Sequence, residues 1–249
     1  MKKESKIIIV VLVVIIIVLC VVIFKKSKIP ITVEDNTITD VKDTNSVVTI
    51  TEQNIKEKNF TGTRSVIKGS SILAITAEKY INETINSFRK SANEEVPSMR
   101  EQFGADSPTS NYNIAIKATH TTSNKTESII IEEYVYTGGA NGNSTYKVFT
   151  SSLATGNILS LSDVIQPSKQ AEFTAFLKKN LVDWRPDESE ESVIFKEEVG
   201  NLTFSSFDDW SYDKDNLIIY FDKYEIGPGV IGPVAFPIKL SNIQSFLVK

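Results

Sequence analysis

The chain is poor in the residues that do most protein chemistry. Its 249 residues include one cysteine, Cys20, and one histidine, His120. Cys20 sits inside an apolar run, so the remainder has neither disulfides nor thiol chemistry. One histidine cannot supply the two His and one Asp of a zinc deacetylase. A Ser-His-Asp or Cys-His device would have to use His120. It lies near the end of an expected strand with no nucleophile elbow beside it, and reads as structural. No dense basic stretch is present and net charge is −4, which argues against a nucleic-acid binder. The glycine-rich segments lack the lysine of a phosphate-binding loop.

What is present begins with hydrophobicity. Ile7 to Phe24 is an unbroken apolar run of 18 residues, bracketed by Lys6 and Lys25. As a helix it would be about 27 Å long, close to the ~30 Å of a bilayer core. Leu19, Cys20 and Val21 offer neither a small-x-small cleavage site nor a lipoprotein signal. The run is therefore expected to be an uncleaved signal-anchor contacting the lipid bilayer, after a cytoplasmic tail of residues 1–6. Lysines tie three to three on either side, so charge does not orient it. Residues 25–46 read as an extended stalk.

The remainder, with hydrophobic content of 41% and charged content of 23% over the whole chain, is composed like a globular domain. Val47–Ile55 is expected as a strand. Gly69-Ser70-Ser71 should start a helix with Ala77, Ile81, Ile85 and Phe88 on one face, kinked or ended at Pro97. Tyr112–Ala118, Ile129–Thr137, Thr145–Thr150 and Ile158–Leu161 form an expected antiparallel meander. A second helix is expected over Ser168–Trp184, then a short acidic helix over Glu190–Val199 with Gly200 as a left-handed cap. A hairpin of Phe207–Tyr212 with Leu217–Phe221, a strand Val234–Ile238 and a closing turn Asn242–Val248 complete the chain. Clustered rather than alternating helices favour an α+β fold: antiparallel sheets with two main packed helices, preceded by one transmembrane helix.

Two glycine-rich stations stand out as candidate binding loops. The first holds Tyr136, Gly138, Gly139, Asn141 and Gly142; the second holds Tyr224, Glu225 and Pro228 before Gly229 and Gly232. The first reads more readily as a structural turn, and the second equally as a bulged crossover. Carboxylates at Glu132, Glu133, Asp208, Asp209 and Glu225 leave a glycan hydrolase as an alternative, and Glu132 and Glu133 should face opposite sides of a strand.

The segments Tyr134-Val135-Tyr136-Thr137-Gly138-Gly139-Ala140-Asn141-Gly142-Asn143, Leu153 to Ile165, Leu217-Ile218-Ile219-Tyr220-Phe221 and Tyr224-Glu225-Ile226-Gly227-Pro228 resemble the tandem extracytoplasmic domains of the RsiV and PdaC type. The resemblance covers about Val47 to Leu247. It implies a PdaC-like half over 47–137 and an RsiV C-terminal-like half over 138–249, both outside the cytoplasm. It further implies a cell-envelope binding role, with peptidoglycan or a lysozyme-like protein as partner. Asn141 stands where the family pattern has His, and Gly229 where an aromatic is usual. Six residues before the anchor leave no sigma-binding segment, so anti-sigma activity is not expected. The reading is a non-catalytic binding module with no cofactor or metal; a structural partner of another envelope protein is a further alternative.

Overall fold

The structure is a computed structural model that describes residues 47–123, 125–185 and 192–248. The anchor expected at 7–24 and the stalk at 25–46 lie outside these residues. Among the described residues no helix is long and apolar enough to cross a membrane.

Strands β1 (Thr49–Lys56) and β2 (Phe60–Lys68) form a hairpin, and helix α1 (Ile72–Phe103) follows. Strands β3 (Tyr112–Thr122), β4 (Thr126–Tyr136), β5 (Asn143–Ser152) and β6 (Ile158–Leu159) complete a six-stranded sheet in sequence order. Its pairs are antiparallel except β2–β3, which is parallel. The expectation of purely antiparallel sheets therefore fails at one pairing. α1 is the crossover that carries the chain back to the same end of the sheet. Sequence reasoning also missed β2 altogether. Gly62 and Arg64 interrupt its apolar alternation, yet Phe60 and Ile67 are buried. Arg64 is buried too, because it reaches α1: Nη2 pairs with Glu78 and Nη1 donates to Asn82 Oδ1 at 2.7 Å.

α1 starts where its cap dictates. Ser71 Oγ accepts the Ala74 amide at 3.2 Å. Leu73, Ala77, Ile81, Ile85, Phe88, Ala92 and Val96 recur at three- and four-residue steps and seat the helix on Tyr112, Ile114, Ile116, Ile129 and Ile131. Pro97 neither ends nor replaces the last turns: the helix runs on to Phe103 and Gly104 caps it at φ 89°. Packing at Val96 and the Arg100 guanidinium, which donates to Asn59 Oδ1 and the Lys58 carbonyl, hold the segment past the proline.

The second core is built from α2 (Gln170–Val182), α3 (Lys196–Asn201), strands β7 (Trp210–Tyr212), β8 (Asn216–Phe221) and β9 (Val234–Lys239), and α4 (Leu240–Ile243). The three strands form an antiparallel sheet in sequence order. Phe173, Leu177 and Leu181 of α2 pack with Phe207, Trp210, Leu217 and Ile219. Val234, Phe236 and Ile238 alternate inward on β9, and Pro237 is tolerated because β9 is an edge strand. Three sequence expectations change here. α2 ends before Trp184, which packs edge-on against Phe236. The acidic helix is Lys196–Asn201 and contains Gly200, which has no left-handed backbone. Phe207 belongs to a 3-10 turn, Phe204–Phe207, so the first hairpin strand shortens to Trp210–Tyr212. The division expected between 137 and 138 lies in the β4–β5 loop, within the six-stranded sheet.

Candidate binding site where the two sheets meet

β5 has β4 along one side, but β6 covers only its last residues on the other. The edge from Ser144 to Val148 would be left with open backbone groups. Side chains from the second sheet close it. Asp222 Oδ1 accepts the Tyr146 amide at 2.8 Å, and Asp209 Oδ1 accepts the Val148 amide at 2.7 Å and the Lys147 ammonium at 2.9 Å. The Lys223 amide donates to the Ser144 carbonyl at 2.9 Å. Two carboxylates and one backbone group thus stand in for a neighbouring strand.

The same junction joins the two glycine-rich stations. Lys223 Nζ donates to the Gly142 carbonyl at 2.7 Å and lies 5.0 Å from the centre of the Tyr224 ring. Tyr224 has φ 72°, the only positive φ of a non-glycine among the described residues. Its turn is closed in both directions: the Glu225 amide donates to the Asp222 carbonyl, and Glu225 Oε2 accepts the Asp222 amide at 2.8 Å. Tyr224 is nonetheless 54% exposed, and Val230, in the 3-10 turn after Pro228, is 89% exposed. The result is an outward-facing apolar pair on a braced loop.

The junction is rich in acid. Burial is the main cause that raises the carboxyl of Glu225 to about 7, with repulsion from Asp222 and Asp209 added. Burial likewise raises Asp222 and Glu133. Glu133 faces α1, where it shares a hydrogen bond with Tyr80 while its Oε1 has no partner. Glu132, its neighbour, is exposed on the other face of β4, as the strand period requires.

The predicted residues separate into four groups. Gly142 and Tyr224 meet through Lys223, and Glu225 and Pro228 brace the second loop. Gly138 is architectural: at φ 84°, an added Cβ would lie 2.3 Å from the Thr109 carbonyl oxygen. Gly139 and Asn141 are exposed and make no such demand. Tyr136 lies elsewhere, on a cleft of about 510 Å³ that it shares with Arg100, Asn113 and Tyr112. His120 pairs with Glu127 at 3.1 Å on the sheet. Sequence reasoning missed Lys223, Asp222 and Val230. An Asp-Lys pair directly after a strongly apolar strand was the available signal for the first two.

Residues 162–241 match the family model described as "Protein of unknown function (DUF3298)", so a DUF3298 domain is present, covering most of the second core. The chain is 26% identical over 129 residues to the peptidoglycan-N-acetylmuramic acid deacetylase PdaC of Bacillus subtilis (strain 168). That match takes in 49% of this chain and 26% of PdaC, so the chain spans about a quarter of the relative's length. The fold is similar to a crystal structure of a DUF3298 family member from Bacteroides fragilis NCTC 9343, with a TM-score of 0.61 and 16% identity over 82% of this chain and 94% of that one. A DUF3298 protein from Pseudomonas aeruginosa PAO1 matches at 13% identity and a TM-score of 0.49, again over 82% and 94% of the two chains.

Proposed function

We propose that this protein is a non-catalytic binding module of the cell envelope, tethered by the apolar segment 7–24 with its folded part outside the cytoplasm. It would contact cell-wall glycan or a wall-acting protein such as a lysozyme. The observation that carries this reading is the Tyr224–Val230 loop: a large aromatic and an aliphatic side chain held in the open by ion, amide and carboxylate contacts behind them. A braced, protruding aromatic suits insertion into a partner's concave surface. The likeness to a protein named for its action on peptidoglycan, and the RsiV resemblance of the second half, support the envelope setting. The carboxylates Asp209, Asp222 and Glu225 each give an oxygen to a backbone amide, which favours scaffolding over acid–base catalysis.

Full-length protein in mild detergent should be retained by purified peptidoglycan or by an immobilised muramidase. Tyr224→Ala should weaken that retention about tenfold or more without lowering the melting temperature. A folded sample retained by neither would sink the proposal.

A further inference from the structure

α1 covers one face of the six-stranded sheet, and the opposite face is open beside β1. Strand register lays two rows of side chains across it. One row is Lys56, Thr61, Asn113 and Tyr136; the next is Asn54, Thr63, Ala115 and Tyr134. All eight are exposed or half-buried. The two tyrosines lie two residues apart on β4, hence about 7 Å apart along the strand on the same face. Their register partners on the neighbouring strands are Asn113, Ala115 and Ser144, all small or polar.

The surface is also concave. A cleft of about 370 Å³ lies over Asn54, Lys56, Thr63 and Ala115. The cleft of about 510 Å³ beside Tyr136, at the end of the sheet, shares Thr61 and Asn113 with it, so the two adjoin and are treated together as a trough. Asn113 Nδ2 donates to the Thr61 carbonyl at 3.1 Å, which fixes the amide. Lys56, Lys58 and Arg100 line the trough. The one acid among the lining residues, Glu57, is held by Arg89 at 2.8 Å. Neither the Lys56 nor the Lys58 ammonium has a hydrogen bond or ion pair within the described residues. A cationic trough on a chain of net charge −4 is a local departure from the whole.

We infer that this trough binds a sugar chain bearing carboxylates. Tyr136 in the trough and Tyr134 beside it offer ring faces to pyranose rings, the fixed Asn113 amide and threonine hydroxyls pair with sugar hydroxyls, and the lysines meet the acid groups. An elongated polar trough with stacking rings fits a polymer segment better than a compact ligand. Three cations spread along it are too few for the charge density of a nucleic acid. The inference rests on the envelope reading only for the kind of glycan available. The trough is separate from the Tyr224–Val230 loop, although Tyr134 touches Gly142 at one end of that junction.

The test is titration of full-length protein with a soluble oligogalacturonate and with its methyl-esterified, uncharged counterpart. The acid form should bind about tenfold more tightly than the ester. Lys56→Gln with Lys58→Gln should remove that preference and leave ester binding and the melting temperature unchanged. Tyr136→Ala should weaken both ligands, while Tyr224→Ala should weaken neither. Equal binding of acid and ester overturns the assignment, as does an oligonucleotide that competes equally well, or binding of the acid form that survives the lysine and Tyr136 substitutions. No sugar binding by a folded sample also overturns it; retention of that same sample by a muramidase would leave the proposed function standing.

Discussion

The two glycine-rich loops use glycine in different ways. In the first, Gly138 lets the chain turn against the backbone of Thr109, and Gly142 lies under the Tyr134 ring, so the loop is fitted to its surroundings. In the second, Gly229 lies under the Tyr224 ring and the loop pushes side chains outward. Similar composition thus yields a packed corner in one place and a display platform in the other. Composition reports which backbone shapes are allowed, and neighbours decide what they are for.

The two loops should differ most in their response to substitution at Gly138. Gly138→Ala adds a Cβ at positive φ against immovable backbone, and should cost about 3 kcal/mol or more in denaturant titration. Gly139→Ala, whose nearest atom would be 3.9 Å away, should change stability by less than about 0.5 kcal/mol. Equal effects at the two positions would show that the first loop is not fitted as described.

Next in size is the brace behind the second loop. Asp222→Ala removes the acceptor for the Tyr146 amide and should cost about 1–3 kcal/mol. Asp222→Asn keeps an acceptor and should cost less; amide hydrogen exchange at Tyr146 would report the difference directly.

A further effect is expected from pH. Glu225 has its carboxyl raised from 4.5 to about 7, so the folded state holds its proton longer than the unfolded state does. Its stabilising contribution is complete below pH 4.5, falls as pH rises toward 7, and is level above that. Asp222 and Glu133, also raised, act in the same direction. Melting temperature should therefore decline across this window, and Glu225→Gln should flatten the decline. A Gln profile as steep as the parent's would remove Glu225 from the account.

The change at Tyr224 is the most discriminating. Tyr224→Gly relieves a positive φ and should raise stability by about 1 kcal/mol while abolishing retention on the wall partner. Opposite movement of stability and binding is the mark of a residue kept for display. The Cβ of Gly229→Ala would lie 2.2 Å from the Tyr224 ring, the far end of an exposed side chain that can shift more cheaply than backbone. That substitution should therefore alter binding more than stability.

Much of the fold was legible because its elements carry strong periods. α1 announces itself through Ala77, Ile81, Ile85 and Phe88, and β9 through Val234, Phe236 and Ile238. β2 was not legible, because Arg64 at its centre looks like a surface residue until Glu78 and Asn82 of α1 are placed beside it. The candidate site was half legible. Tyr224, Glu225 and Gly142 were visible as loop residues, and the sheet brings them within reach of one another. Tyr136 was assigned to the same site and belongs to the trough across the sheet.

The α+β class, most of the strands and the helix start at Ser71 can be read from the chain alone, because they follow from residue type and local spacing. The parallel β2–β3 pairing, the carboxylates that close the β5 edge, and the Lys223 link to Gly142, 81 residues away, emerge from the folded chain. Those depend on which backbone groups are left unpaired when distant strands meet. No local pattern in the chain records that.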